Sequence, residues 1–390
     1  MLRTLKRSAR KVLQLKRSLP SYLHWTTRLR NDPLFNLQTV ERGLQPRSTV
    51  ASRSPQQRAE VAQRIIAAYR KASADQVAQR DVYKVSNEWI PIFQKPLRPL
   101  LDSLERDNAN ELRDLLDNFF RSDISQGLIG LATDMKGIFF DRKPSRFMRT
   151  QLLIDSVYRY RLLQELMPNV QPAELHIDDI GNPYGMFVGD AFLRTGFDYQ
   201  YYYAKRVAGM LTGGSTRPAV AELGGGIGGF AHYLLKAAPP KFTYINLDLP
   251  EILCISTYQL LNLFPEKKAL LYGEIDGIDS QKIASYDLAL LPSFLIEKLD
   301  ADSVDVSFNS YSLAEMDGPT IQNYAAHLSR ITQANILHVN HVSEALVGAD
   351  KFSFDSAKFE LVSRSQALWN LGRNLKCDEY EFLLKRRTAR

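Results

Sequence analysis

The sequence contains little cysteine and no long uninterrupted apolar segment. Cys254 and Cys377 are the only cysteines among 390 residues, which excludes a disulfide-stapled scaffold and is typical of a reducing compartment. No His and Cys residues have zinc-ligand spacing, so we predict no metal site. A run of about 18 apolar residues, the length of a membrane-spanning helix, does not occur. The basic start lacks the apolar core of a secretory signal, and we predict a cytoplasmic protein.

The formal net charge of +7 is confined to one segment. Residues 1–30 contain nine Lys or Arg and no acidic residue, whereas the rest of the chain has 41 basic and 43 acidic residues. This balance argues against a nucleic-acid-binding face, and we predict no nucleic-acid partner. Within the leader, residues 1–18 have apolar side chains at near-helical spacing. They fit either an amphipathic helix on the inner face of an anionic membrane or a solvated leader, and both interpretations stay open.

The composition and apolar spacing of the remaining chain change at two points. Residues 31–55 are rich in turn-forming and polar residues and predict a linker. Residues 56–180 repeat apolar positions at i, i+3, i+4 and i+7, which predicts a helical N-terminal cap domain. Gly and Pro in "IDDIGNPYGMF" mark a boundary near residue 180. Residues 181–390 then alternate short apolar runs with helical patterns.

This alternation predicts an α/β, Rossmann-like domain. We expect a doubly wound, mostly parallel sheet of seven strands with helices on both faces. The five parallel strands are predicted at residues 218–223, 242–249, 286–292, 304–310 and 334–340. Two further strand-like runs, "FELVSRSQ" and "DEYEFLLKR", predict an antiparallel hairpin at the C-terminal edge.

A glycine-rich string, "VAELGGGIGGF", follows the first strand of this domain. It places five glycines in six positions before a helix, which is the context of a nucleotide-binding turn. Gly224, Gly226 and Gly229 fit the dinucleotide pattern G-x-G-x-x-G. Glu222, Gly224, Gly226 and Gly228 also fit the acid-x-G-x-G-x-G pattern of S-adenosylmethionine enzymes. The glycines therefore fit two cofactors equally well.

The charge of Glu222 separates the two cofactors. A carboxylate two residues before the turn would repel the pyrophosphate of a dinucleotide. S-adenosylmethionine instead carries a cationic ammonium and a sulfonium, which a carboxylate attracts. Asp248, 20 residues after Gly228, can hold ribose hydroxyls of either cofactor. We predict S-adenosylmethionine as the cofactor and keep a nicotinamide-dependent oxidoreductase as the alternative.

Four stretches occur in a recognisable order: "ELGGGIGG", "NLDLPE", "FNSYSLAEMD" and "LHVNH". Over roughly residues 150–390 the chain resembles class I S-adenosylmethionine-dependent methyltransferases. More narrowly, it resembles the bacterial sugar O-methyltransferase family, on the "GNP" at residues 181–183 and the "N-x-Y-S-x-x-E-M" stretch at residues 309–316. The resemblance implies methyl transfer to a hydroxyl of a carbohydrate acceptor, free or within a bacterial surface glycan. A non-catalytic methyltransferase-like module in glycan assembly is a further alternative.

The resemblance also implies which residues bind the cofactor. The expected residues are Glu222, Gly224, Gly226, Gly228, Asp248, Ser293, Phe294, Asn309 and Ser310. The first four would face the methionine moiety and the fifth the ribose. The next two would border the adenine, and the last two the donor methyl group.

A sugar hydroxyl is a weak nucleophile, so the reaction calls for a general base. His341 follows the fifth strand at its carboxyl end and is one candidate; it is equally interpretable as an ordinary strand-end histidine. Glu315 is the second candidate, or a structural acid at a helix N-terminus. Asp317 is the third and fits a helix cap better.

Several other polar and aromatic residues have simpler interpretations. His338 and His341 have an odd spacing on one strand, which places them on opposite faces and not as a metal pair. His232 is predicted on the surface of its helix. The tyrosine-rich helix "FDYQYYYAKR" fits a core stripe better, although Tyr199 or Tyr202 could contact cofactor or acceptor.

Overall fold

A computed structural model describes residues 20–47, 53–85, 89–128, 136–211, 216–239, 241–343, 345–367 and 378–387. It divides the chain into two compact units, each discontinuous in sequence. The first unit comprises residues up to Pro46, Lys136–Ile177 and Tyr184–Thr195, and the second comprises Arg47–Met135, Asp178–Pro183 and Gly196–Arg390. The predicted cap of residues 56–180 is thus split between the units. The membrane-contact prediction for residues 1–18 lies outside the described residues.

The helices of the described residues are numbered in chain order. They are α1 (20–29), α2 (Leu37–Leu44), α3 (Pro55–Gln76), α4 (Ile90–Gln94), α5 (Arg98–Glu105), α6 (Ala109–Asp117), α7 (Arg146–Leu166), α8 (Pro172–Leu175), α9 (Phe197–Met210), α10 (Gly229–Ala237), α11 (Pro250–Leu263), α12 (Ser280–Ile283) and α13 (Gly318–Ile331). Within these residues, no helix has the length and apolar character needed to cross a membrane.

The strands are numbered in the same way. They are β1 (Gly185–Val188), β2 (Ala191–Arg194), β3 (Ala219–Leu223), β4 (Thr243–Asp248), β5 (Ala269–Leu271), β6 (Leu288–Pro292), β7 (Val304–Ser310), β8 (Thr332–His341), β9 (Phe359–Gln366) and β10 (Glu379–Arg386). In the first unit, β1 and β2 form an antiparallel pair.

The second unit contains the sheet that the sequence predicts. Its order among the described residues is β5-β6-β4-β3-β7-β8-β10-β9. All pairs from β5 to β8 are parallel, and β10 runs antiparallel between β8 and β9. The mostly parallel Rossmann-like fold and its antiparallel C-terminal edge are therefore confirmed. The eighth strand, β5, was not predicted because its three residues are too few to show a pattern.

Strands in the middle of this sheet are buried on both faces. All six residues of β4 and all five of β6 are buried, as expected for parallel strands covered by helices. Helix α11 is buried at thirteen of its fourteen positions, because the sheet lies on one side and α3 packs on the other. The helices of residues 55–117 therefore add a layer to the sheet unit.

The first unit contains a helix where the sequence analysis predicted a linker. Asn36 begins α2 by accepting a hydrogen bond from the backbone N–H of Gln38 at 3.0 Å. The helix packs on β1 so closely that a Cβ at Gly43 would lie 2.1 Å from the carbonyl oxygen of Gly185. The linker prediction for residues 31–55 is wrong at α2, because this helix is stabilised by packing on a distant segment.

A buried ion pair joins two helices of the helical layer, and a hydrogen bond connects it to α11. Nε of Arg58 on α3 lies 3.2 Å from the Asp117 carboxylate at the end of α6. The hydroxyl of Tyr258 on α11 donates to the same carboxylate. We expect Asp117→Ala to lower the free energy of unfolding by about 3 kcal/mol, because it leaves the buried guanidinium without its counter-charge.

Urea unfolding followed by circular dichroism measures this loss. The matched control is Asp114→Ala on the same helix, because the Asp114 side chain is 66% exposed. The control is expected to stay within about 0.5 kcal/mol of the wild type. Equal losses in the two variants would contradict a structural role for the buried pair.

Candidate functional site

Two adjoining cavities lie at the carboxyl ends of the central strands, where open α/β sheets bind ligands. Their volumes are about 640 and 1400 Å³, including the open mouths. We call the smaller one the first lobe and the larger one the second lobe. Both lobes are lined by Trp89, Leu128, Gly224, Gly226, Ser312 and Glu315. The shared residues show that the lobes are neighbouring parts of one cleft.

The glycine turn after β3 separates the strand from α10. Gly224 has φ +75° and Gly226 has φ +55°, a region that residues with a Cβ rarely adopt. A Cβ at Gly224 would also lie 2.2 Å from Oγ of Ser312. No atom lies within 4 Å of the position a Cβ would take at Gly226. The turn therefore presents bare backbone to the cleft. Gly228, which was expected at the cofactor, lines neither lobe and is the N-cap residue of α10, with φ +75°.

Glu222 is the last residue but one of β3 and lines the second lobe. Its side chain is buried and accepts a hydrogen bond from the hydroxyl of Tyr244 on β4. Burial raises the pKa of Glu222 to about 8, against the lowering effect of that hydrogen bond. A cationic group bound in the second lobe would favour the ionised carboxylate. The site is therefore complementary to positive charge.

Asp248 ends β4 beside the glycine turn and lines the first lobe. Its carboxylate accepts hydrogen bonds from the backbone N–H groups of Gly226 at 2.9 Å and Leu249 at 2.7 Å. Burial raises the pKa of Asp248 to about 6, although both hydrogen bonds act in the opposite direction. A carboxylate has about four lone-pair positions, so capacity remains for hydroxyl donors.

Not all of the four residues expected at the carboxyl ends of β6 and β7 reach the cleft. Ser293 lines the first lobe and Ser310 lines the second. Phe294 instead packs in the hydrophobic core of the sheet unit, edge-on to Tyr272 at 5.7 Å. Asn309 is buried beneath the glycine turn and lines neither lobe. It precedes Ser310 on β7, and consecutive strand residues point to opposite faces.

His341 ends β8 and lines the second lobe. Its Nδ1 lies 3.5 Å from the carboxylate of Asp378, which also accepts hydrogen bonds from the backbone N–H of Ser343 at 2.8 and 3.0 Å. Asp378 immediately precedes β10, which pairs with β8 so that Glu379 lies opposite His341. The sequence analysis missed Asp378, although the predicted antiparallel edge was a signal for this proximity.

Glu315 is held by a residue from the helical layer. Its carboxylate accepts a hydrogen bond at 2.9 Å from Nε1 of Trp89, the residue immediately before α4. The sequence analysis missed Trp89, because no local pattern connects it to a residue 226 positions later. Asp317 accepts a hydrogen bond from the backbone N–H of Thr320 at 2.9 Å and begins α13. The prediction of a helix cap at Asp317 is confirmed.

The remaining candidates divide between core and cleft. His338 is buried in a stack with Phe382, at 4.6 Å, and burial lowers its pKa to about 3. His232 is 3% exposed, so its prediction as a surface residue is wrong; α10 packs between α9 and α11. Tyr199 lines the second lobe, and Tyr202 lines neither lobe. Among the described residues, no cluster of three His, Cys, Asp or Glu is placed to hold a metal ion.

No protein-family model and no curated protein match the sequence. The chain is similar to a solved mitomycin 7-O-methyltransferase, with 13% identity over 50% of this chain and 56% of that one, at a TM-score of 0.31. A second similar structure is phosphoethanolamine N-methyltransferase 1 of Haemonchus contortus, with 14% identity over 49% of this chain and 44% of that one, at a TM-score of 0.32. A third similar structure is geranyl diphosphate C-methyltransferase of Streptomyces coelicolor, with 10% identity over 48% of this chain and 78% of that one, at a TM-score of 0.33. The chain spans about half the length of the first two.

Burial of Glu222 predicts a specific pH dependence of stability. The folded state raises the pKa of this group from 4.5 to about 8, so it binds more protons than the unfolded state between these values. Its contribution to stability is therefore greatest below pH 4.5 and declines until about pH 8. We expect Glu222→Gln, which still accepts the Tyr244 hydrogen bond, to raise the melting temperature at pH 8.

Differential scanning fluorimetry of both proteins from pH 5 to 8 measures this effect. Subtracting the two curves cancels the titrating groups that do not interact with Glu222. The difference in melting temperature is expected to grow as the pH rises. Parallel curves would show that Glu222 is not buried as a protonated acid.

Proposed function

We propose that this protein is an S-adenosylmethionine-dependent O-methyltransferase that acts on a hydroxyl of a sugar. One observation carries the proposal. The buried carboxylates of Glu222 and Asp248 lie beside a positive-φ glycine turn, and the cleft continues from them to His341. The two buried carboxylates and the His341 imidazole thus line one cleft.

The residues present fit S-adenosylmethionine. Glu222 would pair with the ammonium group of the methionine moiety, and the second lobe would hold that moiety. Asp248 would accept hydrogen bonds from the ribose hydroxyls, with the adenine beside Ser293 in the first lobe. The cofactor would supply a methyl group activated by its sulfonium. A dinucleotide pyrophosphate fits less well, because it would place two negative charges near the buried Glu222.

His341 is the general base of the proposed reaction. The acceptor hydroxyl must lose a proton as its oxygen attacks the methyl group, and the His341 imidazole would take this proton. The Asp378 carboxylate, 3.5 Å from Nδ1 of His341, would stabilise the imidazolium that forms. Because the Asp378 carboxylate is also held by the backbone of Ser343, it is oriented before the acceptor binds.

Glu315 is better suited to hold the acceptor than to take its proton. One of its oxygens is already engaged by the indole of Trp89. The rings of Trp89, Tyr199 and Tyr311 line the second lobe, and aromatic rings pack well on the apolar faces of sugars. These rings support a carbohydrate acceptor. A surface glycan or its lipid-linked precursor is the acceptor that we propose from the basic segment of residues 1–18.

Calorimetric titration of the full chain tests the cofactor assignment. S-adenosylhomocysteine is expected to bind at micromolar strength, and NAD is not. Asp248→Asn keeps the shape of the side chain but loses the charge that attracts ribose hydroxyls, so we expect affinity to fall about tenfold. The control is Asp305→Asn, because Asp305 lies on β7 outside both lobes. Preferential binding of NAD would overturn the proposal.

Transfer of labelled methyl from S-adenosylmethionine to a glycan extract of the producing cell tests the base. We expect His341→Ala to lower the transfer rate at least about 100-fold, the usual contribution of a general base. Asp378→Asn and Glu315→Gln are expected to have smaller effects. His327→Ala serves as a matched control because His327 lines neither lobe. Full activity of His341→Ala would remove His341 from the mechanism.

A further inference from the structure

A buried polar network lies directly beneath the glycine turn. Asn309 on β7 donates through Nδ2 to the carbonyl oxygen of Leu223 at 2.9 Å and to Oγ of Ser312 at 2.6 Å. Ser312 Oγ also donates to the Leu223 carbonyl at 3.2 Å. Leu223 is the residue immediately before Gly224. The network therefore fixes the peptide at which β3 leaves the sheet and enters the turn.

Asn340 on β8 extends this network to the backbone of Ala314. Its Nδ2 donates to Oδ1 of Asn309 at 2.9 Å, and its Oδ1 accepts from the backbone N–H of Ala314 at 3.1 Å. Ala314 belongs to the short 3-10 turn Ser312–Glu315, which presents Glu315 to both lobes. The two asparagines thus connect the glycine turn with the turn that carries Glu315.

The side-chain amides of Asn309 and Asn340 each form hydrogen bonds through both the Nδ2 donor and the Oδ1 acceptor. Nδ2 of Asn340 also lies 3.4 Å from Nδ1 of His338, whose depressed pKa keeps this ring neutral and able to accept. Asn309 and Asn340 are 1% and 0% exposed. A buried network in which each amide is satisfied holds one geometry, because any other arrangement leaves a polar group without a partner.

We propose that Asn309 and Asn340 are positioning residues that lock the glycine turn to the Ser312–Glu315 turn, so that cofactor and acceptor sides keep one relative geometry. The inference rests on the proposed function and assigns Asn309 a different role from the direct contact with the donor methyl that the resemblance implies. Neither asparagine lines the cleft. Their effect on cofactor binding must therefore pass through the two turns.

The matched control lies on the same strand and the same face. Ser307 is two residues before Asn309, is fully buried, and makes a 2.6 Å hydrogen bond with Thr332 on β8. Ser307→Ala removes a buried hydrogen bond between β7 and β8 at a distance from both turns. It therefore reports the general cost of weakening this part of the sheet.

The test measures S-adenosylhomocysteine affinity and melting temperature for Asn309→Leu, Asn340→Ala and Ser307→Ala in the full chain. Titrations are performed well below the lowest melting temperature, so that every variant is folded. All three are expected to melt earlier than the wild type. Only the two asparagine variants are expected to lose affinity, by at least about tenfold, whereas Ser307→Ala retains the wild-type affinity.

The outcomes separate the inference from the proposed function. Wild-type affinity in both asparagine variants, or in Asn340→Ala if Asn309→Leu does not fold, overturns the positioning role alone. An equal loss of affinity in Ser307→Ala also overturns it, because the effect would then follow general stability. No binding by the wild type overturns the proposed function together with the inference.

Discussion

The way in which β3 ends determines the rest of the site. In three consecutive residues the strand buries the Glu222 carboxylate, gives its last carbonyl to Asn309, and turns through a glycine with positive φ. The glycine and the network beneath it require each other. A Cβ at Gly224 would collide with Ser312, and a displaced Ser312 would lose its hydrogen bonds with Asn309 and Leu223. The turn and the network beneath it therefore form one structure, which begins one residue after the buried Glu222.

The half of the cleft that we propose for the cofactor could be predicted from sequence because it is built from one βαβ unit. Glu222, the glycines and Asp248 lie within 27 consecutive residues. The parallel pairing of β3 with β4 brings the ends of both strands together without help from distant segments. The alternation of strands and helices predicted the sheet on the same local basis. Short or distantly stabilised elements, such as β5 and α2, gave no comparable pattern.

The half that we propose for the acceptor is formed by residues that are far apart in sequence. Trp89 comes from the helical layer and Asp378 from the last hairpin, and only the folded sheet brings them to Glu315 and His341. His232 shows the same limit in the core, because neighbouring helices cover a face that its own helix pattern left open. The interruption of the sheet unit by residues of the first unit is also a long-range property. Periodicity reports which face of an element is apolar, but not which residues will cover a polar one.

Burial of Glu222 makes the ionisation of its carboxyl group depend on the charge of a ligand bound beside it. With a pKa of about 8, Glu222 is largely protonated at neutral pH in the absence of a ligand, so the fold does not hold an uncompensated charge. A bound ammonium favours the ionised form and takes the place of that proton. An anionic ligand cannot replace the proton in this way, because it would stabilise the protonated form of Glu222 and form no ion pair with it. In the proposed function, the buried Glu222 carboxylate would favour a cationic ligand without placing an uncompensated charge in the ligand-free fold.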